Sequence, residues 1–222
     1  MVEHQLRIAP AAPPRATVLI VPPLFDEANR LRRTLVLAMR ALAADGFAAV
    51  HPDLPGQNES LVALEAVDLE NWQQALAEVA AGIDGPLVIA SLRGGALIDH
   101  RAKAAAWWRL APTGGASLLR TMMRARVNAD REAGIETSLD SLHEAAKTAP
   151  LLLAGNALSP AMLAQLGRAE PQPVAPLRSV ALGAEGIAGT PLWLRAEPGE
   201  DAAMAATIAA DIIAWSRTCG IN

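Results

Sequence analysis

Apolar runs separated by proline, glycine and polar breaks divide the chain into short strands and longer helices. Residues 16–21, Ala-Thr-Val-Leu-Ile-Val, are apolar or β-branched throughout and predict a strand buried on both faces. Pro22 and Pro23 end it, because proline donates nothing to a ladder. A helix is expected over residues 30–44, with Leu31, Leu35, Ala38 or Met39, and Leu42 on one face and Arg32, Arg33 and Arg40 off it. Asp26 or Asn29 is placed to cap this helix, and Gly46 to close it. Residues 47–50 predict the next strand, stopped by the Pro52-Asp53-Leu54-Pro55-Gly56 turn. Asp68 then caps a helix whose Leu69, Trp72, Leu76, Val79 and Ile83 recur every three or four positions. Leu87-Val88-Ile89-Ala90 reads as another fully buried strand, and Ala96, Leu97 and Ile98 beyond its small residues predict a helix. Residues 104–110 predict a further strand, and residues 5–9 a short edge strand. Strands alternating with helices give an α/β class and a doubly wound, mostly parallel sheet.

From residue 115 the rhythm changes. Residues 117–132 form an amphipathic pattern with Leu118, Leu119, Met122, Met123 and Val127 inside and four arginines around them. A second helix is expected over residues 138–147, and residues 151–155 form either a strand or a short buried segment. Ser159-Pro160 opens another helix, which Gly167 closes. Residues 115–168 therefore read as a helical, lid-like insertion in one domain spanning residues 1–222. A strand is expected at residues 179–182, a stronger one at 191–195, and a final helix over 201–218.

Composition narrows the function classes. A 52% hydrophobic chain of 222 residues is long enough for a full core and argues against disorder. No apolar run reaches the roughly 20 residues that span a bilayer. Residues 1–6 lack the basic start of a secretory signal, and Cys219, the one cysteine, reads as a reduced bystander; both imply a cytoplasmic protein. A net charge of −4 gives no reason to expect nucleic acid. No metal-ligand spacing or cofactor motif is present, which leaves a small-molecule ligand, a protein partner or a second copy as expected partners.

The candidate chemistry sits after the strand at residues 87–90. Strand, tight turn and helix in that order resemble the nucleophile elbow of α/β-hydrolases, G-x-S-x-G. Here the pattern is Ser91-Leu92-Arg93-Gly94-Gly95, so that Arg93 or, one register earlier, Leu92 stands where serine belongs. Asp53-Leu54-Pro55-Gly56-Gln57-Asn58-Glu59-Ser60 resembles the D-L-P-G-x-G-x-S turn of the same fold, with Asn58 for the second glycine. The 21–30 loop with Arg32-Arg33, Leu92-Arg93 in the elbow, Trp108-Arg109-Leu110-Ala111-Pro112, the 119–126 helix and residues 154–159 add to this. Together these stretches resemble the second hydrolase type associated with the exosortase A system, found with protein-sorting and exopolysaccharide genes. That resemblance implies an α/β-hydrolase fold in which Leu-Arg at the elbow is a family trait.

A Ser-His-acid triad needs a histidine late in the chain. Glu197, Glu200 and Asp201 are candidate acids, but the histidines are His4, His51, His100 and His143. Ser91 is the one hydroxyl at the elbow, and it occupies the small-residue position. Weak catalytic candidates are therefore Ser91, Arg93 and Glu27. Arg93, Gly94, Gly95 and Asn29 are candidate ligand-binding residues: a guanidinium fork and helix N-terminal N–H groups suit an anion. The bland alternative pairs Arg93 with Asp26 or Glu27. The expected function is a divergent or silent hydrolase that binds a small anionic or acylated ligand. An active ester or thioester hydrolase with an unrecognised nucleophile, and a non-catalytic interaction subunit working through the basic helix, are the alternatives.

Overall fold

Two apolar segments far apart in sequence form the centre of the sheet. Strand β2 (Thr17–Val21) and strand β4 (Leu87–Leu92) are buried along their whole length and pair in parallel, Thr17 opposite Leu87 and Val21 opposite Ser91. In the computed structural model, which describes residues 3–221, they anchor a six-stranded sheet. Met1 and Val2, part of the stretch read for a secretory signal, and Asn222 lie outside the described residues. The other strands are β1 (Gln5–Ile8), β3 (Ala48–Pro52), β5 (Ala106–Leu110) and, counted past a small hairpin, β8 (Leu177–Val180). Their order is β1-β3-β2-β4-β5-β8, with β1 antiparallel at one edge and every other pair parallel.

Helices cover both faces because each central strand alternates apolar side chains to both sides. Helix α1 (Asp26–Ala44) and helix α6 (Ala202–Thr218) pack on the face presented by Val18, Ile20, Ala90 and Trp108. Helix α2 (Leu69–Ala81), α3 (Gly115–Glu132) and α5 (Pro160–Arg168) pack on the face of Leu19, Ile89 and Trp107. Between β5 and β8 the chain runs through α3, α4 (Leu139–Ala145), the β6–β7 hairpin (Leu151–Leu153 and Asn156–Leu158) and α5. No helix among the described residues is long and apolar enough to cross a membrane.

Three elements differ from the sequence reading. Helix α1 begins at Asp26 rather than Arg30, and its N-cap is Phe25, which makes no side-chain cap. Instead Asp26 and Glu27 sit in the first turn, where the helix dipole favours negative charge. The helix expected after β4 is a short 3-10 stretch, Arg93–Leu97, followed by turns up to β5. Two consecutive glycines weaken a helix there, and the span 93–105 leaves little room for one before the next strand. Residues 191–195 also fail to form a strand: Leu192–Leu194 is a 3-10 turn after Pro191, and β8 already closes the sheet edge.

The 3-10 stretch lies hard against the end of β2. A Cβ on Gly95 would come 2.5 Å from the carbonyl oxygen of Pro22 and 2.8 Å from that of Val21. Both obstacles are backbone and cannot rotate away. Gly95→Ala is therefore expected to lower the free energy of unfolding by about 1–3 kcal/mol in a urea titration, since the turn and β2 must separate.

Candidate functional site

The strand order reverses between β2 and β4, so the loops after these strands open the crevice where ligands bind in sheets of this kind. Three residues at the ends of neighbouring strands have left-handed backbone: Phe25 after β2 at φ 59°, Arg93 after β4 at φ 53° and Ala111 after β5 at φ 44°. Left-handed backbone costs a non-glycine residue roughly 1–2 kcal/mol, and such strain gathers at built sites. It also settles which residue occupies the elbow. Leu92 is ordinary extended backbone at φ −117°, so Arg93 holds the strained position between strand and turn.

Arg93 is held on three sides. Its Nε donates to Glu27 Oε2 at 3.2 Å and its Nη2 to Glu27 Oε1 at 3.3 Å, while Nη1 donates to the Ala111 carbonyl at 3.3 Å. The guanidinium lies 4.7 Å from the ring centroid of Trp193, in cation–π contact. Trp193 is itself positioned from α1, because Arg30 donates to its carbonyl at 2.6 Å and pairs with Asp26 at 2.8 Å. Burial pushes the Glu27 carboxyl above its ordinary pKa, and Arg93 works against that shift. The acidic first turn of α1 is thus divided between two arginines, while Arg33 turns outward to Glu200 at 2.7 Å. Trp107 and Trp108, on β5, are buried in the core.

Ser91 belongs to a different cluster. Its hydroxyl is fully buried and donates to Asp99 Oδ2 at 2.7 Å. Arg109, opposite Ser91 on β5, grips the same carboxylate with Nε at 2.9 Å and Nη2 at 2.6 Å. Ser91 therefore spends its hydroxyl donor on a buried carboxylate. This buried Ser91–Asp99–Arg109 cluster was not visible in the sequence, since nothing local in the 99–109 segment marks an inward charge pair.

The remaining candidates separate. Gly94 and Gly95 are buried: a Cβ on Gly94 would meet Leu118 at 2.6 Å and Leu24 at 3.2 Å. They lie in the first turn of the 3-10 stretch Arg93–Leu97, which takes the place of the longer helix expected there. Asn29 is exposed and lines a polar cleft of about 290 Å3 with Asp26, Asn58 and Asn156. Asn58 stands in for the second glycine of its turn because asparagine tolerates left-handed backbone, here at φ 50°. A second cleft, about 150 Å3, is lined by Asp26, Glu27, Arg30, Thr121, Met122 and Trp193, of which Glu27 and Trp193 contact Arg93. No group of three or more metal-ligating side chains occurs among the described residues.

No protein-family model and no curated protein matches the sequence. Solved structures do. A candidate hydrolase from Agrobacterium vitis S4 superposes with a TM-score of 0.53 at 17% identity, covering 80% of this chain and 71% of that one. The fold is that of the α/β-hydrolases. More distant matches include mouse α/β-hydrolase domain-containing protein 10, with a TM-score of 0.46 at 13% identity over 80% of this chain and 72% of that chain. Another is Est1E of Butyrivibrio proteoclasticus bound to ferulic acid, with a TM-score of 0.40 at 18% identity over 71% of this chain. The chain spans 56% of the length of Est1E.

None of the four histidines hydrogen-bonds to Ser91 or Arg93. His4 lies 3.6 Å from Asp53 at the far edge of the sheet, and His143 sits exposed on α4. His51 and His100 each carry a buried Nδ1 without a partner among the described residues. The candidate acids are also engaged elsewhere or exposed: Glu200 with Arg33, Asp201 capping α6 through the Met204 N–H at 2.8 Å, and Glu197 in solvent.

Two measurements check this geometry. Arg109→Leu strands the Asp99 carboxylate and should cost about 3–5 kcal/mol of stability, against about 1 kcal/mol for Ser91→Ala; equal costs would mean the pair is not a unit. Burial lowers His51 to a pKa of about 4, from an ordinary 6.5. Since the unfolded chain takes up this proton first, stability should be complete above pH 6.5 and fall as pH drops toward 4, by about 1.4 kcal/mol per pH unit. His51→Gln should flatten that limb of the urea-unfolding profile.

Proposed function

We propose that this chain is an α/β-hydrolase-fold protein that has exchanged its nucleophile for an ion pair and uses the cleft over the elbow to hold a small anionic or acylated ligand. One observation carries the reading: a guanidinium, not a hydroxyl, projects from the strained residue between β4 and the turn. A serine nucleophile needs a base within about 3 Å, and the elbow supplies neither part. Three of the five guanidinium N–H groups are taken by Glu27 and Ala111. Arg93 adjoins the cleft through Glu27 and Trp193, which line it together with Met122, and its other two N–H groups suit a carboxylate or phosphate attached to an apolar body. Asn29, on the neighbouring polar cleft, is assigned to the same ligand's rim. Gly94 and Gly95 serve the close approach of the turn rather than the ligand.

The resemblance to the exosortase A system-associated hydrolases makes a cytoplasmic role beside protein sorting or exopolysaccharide export the setting we infer, with residues 115–168 as the lid-like cover of a single domain. The alternative of an active ester or thioester hydrolase is disfavoured by the buried, donating Ser91. An interaction subunit is compatible with the exposed arginines of α3, although no feature of the elbow calls for one.

The test has two arms. A fluorophosphonate probe is expected to leave the protein unlabelled; stoichiometric labelling that vanishes in Ser91→Ala would overturn the silent-elbow reading. Phosphate or acetate is expected to raise the melting temperature of the parent by a few degrees and to lose that effect in Arg93→Ala. Equal shifts in both proteins would place the anion elsewhere and refute the ligand role of Arg93.

A further inference from the structure

A second cavity, about 710 Å3, opens between α3, α4 and α5. Concavities of roughly 300–1,000 Å3 are the size that small molecules occupy. Helix α3 separates it from the elbow. Leu118 and Met122 face the elbow cleft, whereas Leu119 and Met123, one position further round, face this one. The two sites therefore stand on opposite sides of one helix, and the chemistry of the larger cavity is independent of the role assigned to Arg93.

The lining divides by chemistry. Leu119, Met123 and Leu163 are buried and form an apolar floor, and the small Ala164 and Gly167 leave the α5 wall open. At the rim stand Arg120 and Arg124, successive turns of α3, with Lys147 across from them beyond α4. No aspartate or glutamate lines the cavity. Lys147 has an exposed partner in Glu144 at 2.6 Å, a solvent-screened contact of little strength. Arg120 and Arg124 have no carboxylate partner among the described residues, unlike Arg126 of the same helix, which is paired with Asp130 at 2.7 Å. Residues four apart on a helix lie about 6 Å from one another, so the two free forks can close on a single headgroup. An acidic helix would instead need its cations spread along a stripe.

We propose that this cavity binds a single-chain aliphatic amphiphile with an anionic head, a fatty carboxylate or an alkyl phosphate. The chain lies on Leu119, Met123 and Leu163, and the head is held by Arg120 and Arg124. Burying the chain removes its hydration, and the cations supply charge-assisted hydrogen bonds that a neutral or cationic head lacks.

Isothermal titration of the full chain with dodecanoate, dodecyl phosphate and dodecyltrimethylammonium, each below its micellar concentration, tests the assignment. At least one of the two anions should bind with a stoichiometry of one, and whichever binds names the head; the cation of equal chain length should bind about tenfold more weakly or not at all. The double variant Arg120→Gln, Arg124→Gln should reduce the anion to the level of the cation. Ala164→Trp, at an exposed position on the cavity wall, should abolish binding while the melting temperature holds. If that variant is destabilised, Gly167→Leu fills the same wall, since a Cβ there has only Leu119 near it, at 4.0 Å. Absence of binding, equal binding of the cation, or binding that survives both wall variants would overturn the proposal. Loss of binding in Arg93→Ala but not in the wall variants would move the amphiphile to the elbow and overturn it as well.

Discussion

The pairing of Glu27 with Arg93 is the contact on which the upper edge of this sheet depends. It joins the loop after β2 to the turn after β4 across 66 residues of sequence. Both groups are largely removed from water, with side-chain exposures of 18% for Arg93 and 9% for Glu27. A charge so placed is tolerable only with its partner, because the desolvation penalty is not recovered by solvent. Phe25, Arg93 and Ala111 are all bent into left-handed backbone around this pair. The strain of three residues is sustained by one guanidinium that contacts two of the three strand ends and rests on Trp193.

That arrangement has consequences for chemistry. The elbow of this fold exists to expose one side chain at the mouth of the central strands. Here the strained residue after β4 carries a guanidinium paired with Glu27. A guanidinium has five N–H donors and no acceptor, so it can orient and neutralise but cannot attack or relay a proton. The carboxylate beside it is held above its ordinary pKa by burial, and its hydrogen-bond partner Arg93 only donates, with no acceptor to take a proton.

A second charge cluster carries stability rather than recognition. Ser91, Asp99 and Arg109 sit under the 3-10 stretch and tie β4, the following turns and β5 into one unit. With Asp99 turned inward to meet Arg109, the chain after Leu97 folds back in turns instead of continuing as a helix. The two clusters start two residues apart, from Ser91 inside β4 and from Arg93 just beyond it, and the left-handed backbone at Arg93 breaks the strand's alternation between them.

Much of this was legible from the order of residues alone. Runs such as Ala16–Val21 and Leu87–Ala90 report burial on both faces, and burial is what periodicity measures, so the doubly wound sheet follows from them. The edge strand β1, the capping of α2 by Asp68 and the proline start of α5 were readable for the same local reason. The acidic pair Asp26-Glu27 beside an elbow arginine also limited the partners available to Arg93. Tertiary structure alone decided the rest. Whether Arg93 or Leu92 held the elbow was set by backbone strain, which no residue type announces. The expected helix after β4 gave way to a 3-10 stretch because Gly95 must pass close to the backbone of β2. The expected strand at 191–195 became the turn that carries Trp193 under the guanidinium. Residue patterns encode which side chains avoid water; they do not encode which distant charge each buried group will meet, and at this site those meetings determine the chemistry.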